Sequence, residues 1–599
     1  MKTRQAILYV AFLWFRWLVS SLPGYLHPDE FFQSPEITAG PILGVETSIP
    51  WEYSPAHASR SIVIPFLTTG LPFWILRQVE TWTNGEKQII GTLSIFLTER
   101  TASFILSLLV DFSVINLYKT MEKDYLLPLF LVASSQVALV YYTRTFSNSI
   151  EAIILCLSLA SYASFTKKGS LVSSFGLGFL LCLGIFTRIT FGLFGLPIGL
   201  GFLLHALKGN SSSKPSFIGS LVSFALGASA VAGVCILADS LYFGTLQATV
   251  NDQPIVHFSQ IVEALMNFSE FSFNLVGNFV ITPLNNLKYN MNVDNLATHG
   301  LHPRYLHLIV NFPLLFGPLA IASLMDVTDT VVAAGDTLFS RIYYVALCTI
   351  VTAMAGLSTV PHQEARFLAP LLVPLVIVYT WNKTNLPKLF WFTWIIFNVI
   401  TTFVFGVLHQ GGIVPTMSYL QQQSTNIHGC EKLSSGDLAC QLDFTSASFQ
   451  SNYNVTTHIL FLKTYMAPHH LLAYPTEWKD TSNIHVQIKD FGSDIESAER
   501  ELEHRSGVVF HKDSQTKHKI DFAPSQEFPN SFERTLLVAP MTAMLPRIHK
   551  HRYLLVTSYN PHVSFDDMRL AANQTDQMTD PAKVMSLNVW LLLSEKDEN

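Results

Sequence analysis

Runs of predominantly apolar residues, each about 20 long and so able to cross a bilayer as a helix, recur from the beginning of the chain to Leu408. They centre on 7–22, 61–79, 89–118, 124–142, 149–165, 171–187, 191–207, 216–243, 307–325, 342–360, 367–381 and 388–408. They predict a mainly α, polytopic membrane protein with roughly 11–13 transmembrane helices, the run 89–118 being one span or two. Composition agrees. Only 13% of the 599 residues are charged, about half the share of a soluble globular chain, and the mean hydropathy is +0.33. A formal charge of −6 provides no basic field, which argues against nucleic acid as a partner.

The first run has a basic start at Lys2 and Arg4, but Arg16 interrupts it and no small-x-small cleavage site follows, so it reads as a retained helix rather than a leader. Lys2 and Arg4 hold the N-terminus in the cytosol by the positive-inside rule, which sends the loop after the first helix to the far side. Two polar stretches interrupt the apolar part, 23–60 and 244–304. The predicted division is a transmembrane domain over 1–408 and a soluble, lumenal, α+β domain over 409–599. In the latter, "VQIKDFG", "RTLLVAP" and "RYLLVTSY" read as strands. Six cysteines are too few for a disulfide scaffold. Cys156, Cys182, Cys235 and Cys348 lie in apolar runs and read as packing residues. Cys430 and Cys440 lie in polar sequence and would pair only in an oxidising compartment. Sequons at Asn210, Asn267, Asn382, Asn454 and Asn573 license glycosylation wherever the segment is lumenal.

Three strings are unusual for such a chain. "HPDEFFQSPEI" places His27, Asp29 and Glu30 directly after the first span. Pro28 bars a regular helix through His27, so the two acids should open a short helix along the interface, with Phe31, Phe32 and Ile37 turned to lipid or to the bundle. Acids at a helix N-terminus complement the dipole, but that need not involve a histidine and two acids. "GLSTVPHQEARFLAPLLVPL" sets His362, Glu364 and Arg366 just before an apolar run, either as a clasp between Glu364 and Arg366 or as a site for an anionic phosphate. The stretch 283–304 carries Lys288, His299 and His302. Its His-x-x-His lacks further ligands at metal spacing, and a loop that hydrogen-bonds sugar hydroxyls or phosphate fits it better. Lesser signals are Arg144, Arg188 and the "PWEYSPAHASRS" string with Trp51 and Arg60. Trp51 has the character of an interface-belt or sugar-stacking residue.

An HPDE motif after the first transmembrane helix resembles that of the dolichyl-phosphate-mannose-dependent mannosyltransferases of the endoplasmic reticulum, which have the C-type glycosyltransferase fold. Trp51–Tyr53 followed by Arg60–Ser61, and the string His362–Phe367, look like two further motifs of that family. The longer strings "GYLHPDEFFQSPEI", "YTRTFSNSIE", "HQEARFLAPLLVPL", "LHQGGIVP" and "TYMAPHHLL" resemble the branch that adds the fourth mannose to glycosylphosphatidylinositol (GPI) precursors.

The resemblance implies transfer of mannose from dolichyl-phosphate mannose, α1,2-linked, to the third mannose of a GPI lipid at the lumenal face of the endoplasmic reticulum membrane. The donor is a β-mannosyl phosphate and the product is α, so the reaction inverts the anomeric carbon in one displacement, with a base on the acceptor hydroxyl. The family's acidic residue in its first lumenal loop matches Asp29. Glu30 would hold sugar hydroxyls or orient Asp29, with the two acids interchangeable at this stage, and His27 would stand behind them. Arg366, His362 and Lys288 are candidates to stabilise the departing phosphate; Trp51, Arg60, Arg144, Arg188, His299, His302 and Glu364 complete the candidate substrate-binding set. No cofactor and no obligatory metal is expected, since the Asp-x-Asp of nucleotide-sugar enzymes is missing. The expected partners are the two lipid-linked substrates and the bilayer. Sister enzymes acting on other mannose acceptors, a lipid-linked-sugar transporter and a binding subunit remain as alternatives.

Overall fold

The computed structural model describes residues 3–594 apart from 86–88, 209–214, 251–252, 255–272, 293, 296–299, 332–337, 435, 437, 443–452, 513–517, 528–530, 544–552 and 565–583. The chain folds into two compact units, each assembled from separated stretches. Met1–Ser20, Ile49–Thr68 and Thr101–Ile400 make one; Ser21–Ser48, Thr69–Arg100 and Thr401–Asn599 make the other.

Every apolar run singled out in the sequence is helical. Among the described residues, five helices are long and apolar enough to cross a membrane: Thr92–Thr120, Ser147–Lys168, Phe217–Tyr242, Arg341–Thr359 and Lys388–Leu408. A sixth span exists if the bent pair His307–Phe316 and Pro318–Met325 is counted as one. This is fewer than the expected eleven to thirteen, for local reasons. The run 89–118 is a single helix rather than two. The runs 61–79, 124–142 and 367–381 are interrupted by π- or 3₁₀-helical turns, at Phe66–Gly70, Val137–Tyr141 and Ala365–Leu371. Leu171–Thr187 and Phe191–Leu207 stop at 17 residues. The 118° bend sits at Gly317, whose φ of +48° with ψ of −122° falls outside the regions open to residues with a Cβ, and a Cβ there would lie 2.6 Å from the Phe397 ring.

Within the helical unit, Leu171–Thr187 and Phe217–Tyr242 approach so closely that a Cβ on Gly178 or Gly227 would come within 2.0–2.1 Å of a carbonyl oxygen on the other helix. Small residues permit such contacts where lipid leaves no hydrophobic drive between helices. Arg16, the charge that interrupts the first run, is buried and forks onto Asp111 at 2.7 and 3.2 Å. Asp239 takes hydrogen bonds from Ser61 Oγ and the Ile62 amide, both 2.9 Å, and from Thr282 Oγ1 at 2.8 Å. That carboxylate ties the Arg60–Ser61 segment to Phe217–Tyr242 and to the short helix Thr282–Asn290. In the polar stretch 244–304, Leu246–Val250 pairs antiparallel with Gln253–Pro254 and Phe273–Gly277.

The other unit is α+β, as expected of the C-terminal part, and the three strings read as strands fall in Ile484–Asp490, Ser531–Pro540 and Tyr553–Tyr559. Its sheet runs in the order Tyr553–Tyr559, Leu587–Leu592, Ser531–Pro540, His518–Pro524, Leu438–Leu442, Ile427–Lys432. Asn454–Phe461 lies parallel to both Ser531–Pro540 and Ile484–Asp490. Cys430 and Cys440 form a disulfide between the two strands of one hairpin. Besides the stretch from Thr401 onward, this unit takes in 21–48 and 69–100, the latter including the first turns of Thr92–Thr120. The cause is apolar burial: Tyr25, Phe31 and Phe32 share one core with Phe96, Ile413, Met417, Leu471 and Val538, and each buried large side chain contributes about 1.5–3 kcal/mol.

Candidate active site

His27 precedes a proline, which disfavours helical backbone there, and the chain then turns into the four-residue helix Asp29–Phe32. The amides of Phe31 and Phe32 donate to the Pro28 carbonyl at 3.1 Å. Asp29 therefore occupies the first turn. Its Oδ2 accepts from Gln33 Nε2, one turn on, and its amide donates to His27 Nδ1 at 3.2 Å. Accepting that bond leaves the His27 proton on Nε2, so the 3.6 Å from Nδ1 to Asp29 Oδ1 is proximity rather than a hydrogen bond. The Asp29 side chain is 27% exposed.

Glu30 is placed quite differently. Successive helical residues point about 100° apart, and Glu30 turns inward to 0% exposure, where it pairs with Arg100 and accepts the Leu26 amide at 3.0 Å. The Arg100 guanidinium also lies over Phe96 at 4.8 Å and Phe31 at 5.5 Å. Glu30 is thus a buried anchor of the loop, its carboxylate enclosed beside Arg100 rather than exposed like that of Asp29.

Beyond the short helix, buried Glu36 accepts the Ser48 amide at 2.9 Å, the His470 amide at 3.0 Å and His470 Nδ1 at 2.9 Å. His470 Nε2 reaches Glu99 Oε2 at 3.2 Å. Burial alone would depress the His470 pKa, but the charge of Glu36 and the hydrogen bonds to both carboxylates outweigh it and carry the imidazole up to about 9. The same unit thus holds Glu30–Arg100 and Glu36–His470–Glu99 as two buried charge clusters around the Asp29 turn.

The helical unit gathers most of the remaining candidates. Ser147 Oγ, at the start of Ser147–Lys168, lies 2.9 Å from Arg188 Nη1 and 3.4 Å from Arg60 Nη1. Arg60 pairs with Glu52 at 2.7 Å, and Arg188 with Glu151 at 3.5 Å. The guanidinium groups of Arg188 and Arg366 stand over one ring, Phe367, at 5.2 and 5.3 Å. Arg366 pairs with Glu364, whose other oxygen meets His362 Nε2 at 2.6 Å. Burial lowers the His362 pKa, and the hydrogen bond and charge of Glu364 reverse this to a net rise. The His302 and His362 rings lie 5.7 Å apart. Arg188, Arg366 and His362 thus meet around Phe367, Arg60 joins Arg188 at Ser147, and each arginine is balanced by one carboxylate.

Trp51 stacks on Tyr289 at 4.1 Å, so one face of its ring is occupied. Lys288 is exposed on Thr282–Asn290, next to the Tyr289 that stacks on Trp51. Arg144, expected among substrate-binding residues, is buried and donates to the Ser20 carbonyl at 2.9 Å, which caps the end of the first helix. His299 lies outside the described residues. Arg100, Gln33, Glu36, Glu99 and His470 escaped the sequence reading. The one available signal was the pair Glu99–Arg100 inside an otherwise apolar run, since charges there seldom lack a partner. Among the described residues, no three of His, Cys, Asp and Glu converge to hold a metal.

Comparison with known proteins agrees with the strings that carried the resemblance. The human GPI alpha-1,2-mannosyltransferase 4 is 34% identical over 77% of this chain and 74% of its own length. The GPI mannosyltransferase 4 of Emericella nidulans is 28% identical over 94% and 93%, and that of Saccharomyces cerevisiae 32% over 65% and 67%. Among solved structures, ArnT from Cupriavidus metallidurans bound to undecaprenyl phosphate aligns over 93% of this chain and 97% of its own, at 13% identity and a TM-score of 0.33, a likeness too weak to bear on the site. The model of the Alg9-like mannosyltransferase family matches residues 7–435, about three-quarters of the length and both charged loops, and the chain belongs to that family.

Proposed function

We propose that the protein transfers mannose from dolichyl-phosphate mannose to the third mannose of a GPI precursor, forming an α1,2 linkage, at the lumenal face of the endoplasmic reticulum membrane. The observation that carries the assignment of the base is the contrast between the two neighbouring acids. Asp29 is accessible and held by Gln33, whereas Glu30 is sealed against Arg100. The relatives named above, with family membership, support the acceptor class.

Asp29 takes the proton from the acceptor 2-hydroxyl as that oxygen forms its bond to the anomeric carbon. The bond from that carbon to the phosphate oxygen breaks on the opposite face, and dolichyl phosphate leaves as an anion. A phosphate departs without prior protonation, so the second acid of an inverting glycosidase is dispensable here. In the helical unit, Arg60, Arg188 and Arg366, with His362, are the groups suited to an anionic phosphate, which would draw them from their carboxylate partners through charge-assisted bonds. Gln33 and His27 hold the Asp29 turn. The chemistry as written uses no metal.

The test is transfer by the purified protein from labelled dolichyl-phosphate mannose to GPI lipids bearing two or three mannoses and to dolichol-linked oligosaccharide, with and without chelator. Mannose should pass to the three-mannose GPI lipid in both conditions. Asp29→Asn should lower the rate by about 10²–10⁴-fold, the usual share of a general base. Transfer only to another acceptor, or full activity in Asp29→Asn, would overturn the reading.

A further inference from the structure

The segment 463–473 passes beside the Asp29 turn and is held unusually firmly. Lys463 and Ala473, at its two ends, adopt the left-handed conformation with φ of +55° and +50°. Such backbone is costly for residues with a Cβ and persists where surrounding contacts enforce it. Here the Lys463 amide donates to the Gly492 carbonyl at 2.6 Å, Tyr25 Oη to the Met466 carbonyl at 3.1 Å, and the His470 amide to Glu36. What this fixes in space is Tyr465. Its ring meets Tyr25 edge-on at 5.5 Å, His409 edge-on at 5.4 Å and His27 at 6.1 Å. Tyr25 and His409 are buried, while Tyr465 remains partly exposed.

We propose that Tyr465 is an acceptor-positioning residue: its ring and His27 form the wall against which the acceptor sugar rests while its hydroxyl meets Asp29. The inference rests on Asp29 being the base. A base must lie within about 2.6–3.2 Å of the hydroxyl it deprotonates, so the neighbours of Asp29 are the neighbours of the acceptor sugar, and the donor phosphate leaves on the far side of the anomeric carbon. The surroundings suit an uncharged polyol. Arg100, a cation that this turn contacts, is paired with Glu30; Asp29 meets the Gln33 amide and the His27 imidazole, and the Tyr465 ring stands beside that imidazole. Aromatic rings offer an apolar face to the C–H side of a sugar and a polar edge to its hydroxyls. Tyr465 also lies beyond residue 435, where the match to the wider family stops.

The experiment varies donor and acceptor concentrations separately for the full-length protein. Tyr465→Ala should raise the KM for the three-mannose GPI lipid at least tenfold and leave the KM for dolichyl-phosphate mannose within twofold; Tyr465→Phe, which keeps the ring, should recover most of the loss. Should Tyr465→Ala fail to fold, Tyr465→Leu replaces it with the same expectation. An unchanged acceptor KM in the folded variant, or equal rises in both KM values, overturns the proposal while an inactive Asp29→Asn leaves the base assignment standing. Retained transfer by Asp29→Asn overturns both.

Discussion

His470 is a buried imidazole between two buried carboxylates, and its titration should be visible in the stability of the unit that carries Asp29. In the unfolded chain it titrates near 6.5; folded, it is carried up to about 9. The folded state therefore holds the proton more tightly, and the stabilisation is fully present below about pH 6.5 and lost as pH rises through about 9. That displacement is worth about 3 kcal/mol at ~1.4 kcal/mol per tenfold in proton affinity. At ~2–4 °C per kcal/mol, it predicts a fall in unfolding midpoint of roughly 6–12 °C between pH 6 and pH 10. Other groups titrate over the same window, so the readout is the difference between wild type and His470→Gln, followed by thermal unfolding in detergent. Glutamine fills the site without a charge and leaves Glu36 and Glu99 uncompensated, at a cost of about 3–5 kcal/mol. The variant should be less stable at pH 6, and the gap should close toward pH 10. Parallel curves across the whole range would refute the reading, because they would mean that His470 is held as a neutral ring and the two carboxylates are satisfied without it.

Two further expectations concern charges. Glu30→Gln, which leaves Arg100 buried without a counter-charge, should cost about 3–5 kcal/mol, and the double change Glu30→Gln with Arg100→Met should recover much of it; equal losses for single and double changes, by thermal unfolding, would show that the two side chains do not act as a pair. Arg188→Lys keeps the charge but loses the planar fork shared between Ser147 and Phe367. It should lower kcat/KM for the donor by about 10²-fold, the scale of losing one anion-stabilising group, with the acceptor KM unchanged.

How the two acids of one motif come to differ shows what a sequence can and cannot convey. The helical runs were legible because hydropathy over 20 residues is a local property, and the three strands of the C-terminal part because a short apolar, β-branched run is local too. The span count was less so: interruptions such as Val137–Tyr141 leave composition unchanged and alter only the backbone path. Asp29 and Glu30 are neighbours with the same chemistry, and nothing local separates them. What separates them is Arg100, placed seventy residues later in the chain by the helix Thr92–Thr120, together with the core that buries Phe31 beside it. Adjacent positions on a helix must face different surroundings, so once Arg100 claims Glu30, Asp29 is turned toward solvent by geometry alone. The same logic explains why Glu36 and His470 were missed: each looks like a stray polar residue until its partner, hundreds of positions away, is in place. A buried charge costs so much unpaired that these distant partners fix the path of the turn as firmly as its own backbone does. The accessible carboxylate is then the one that the buried pairs leave over.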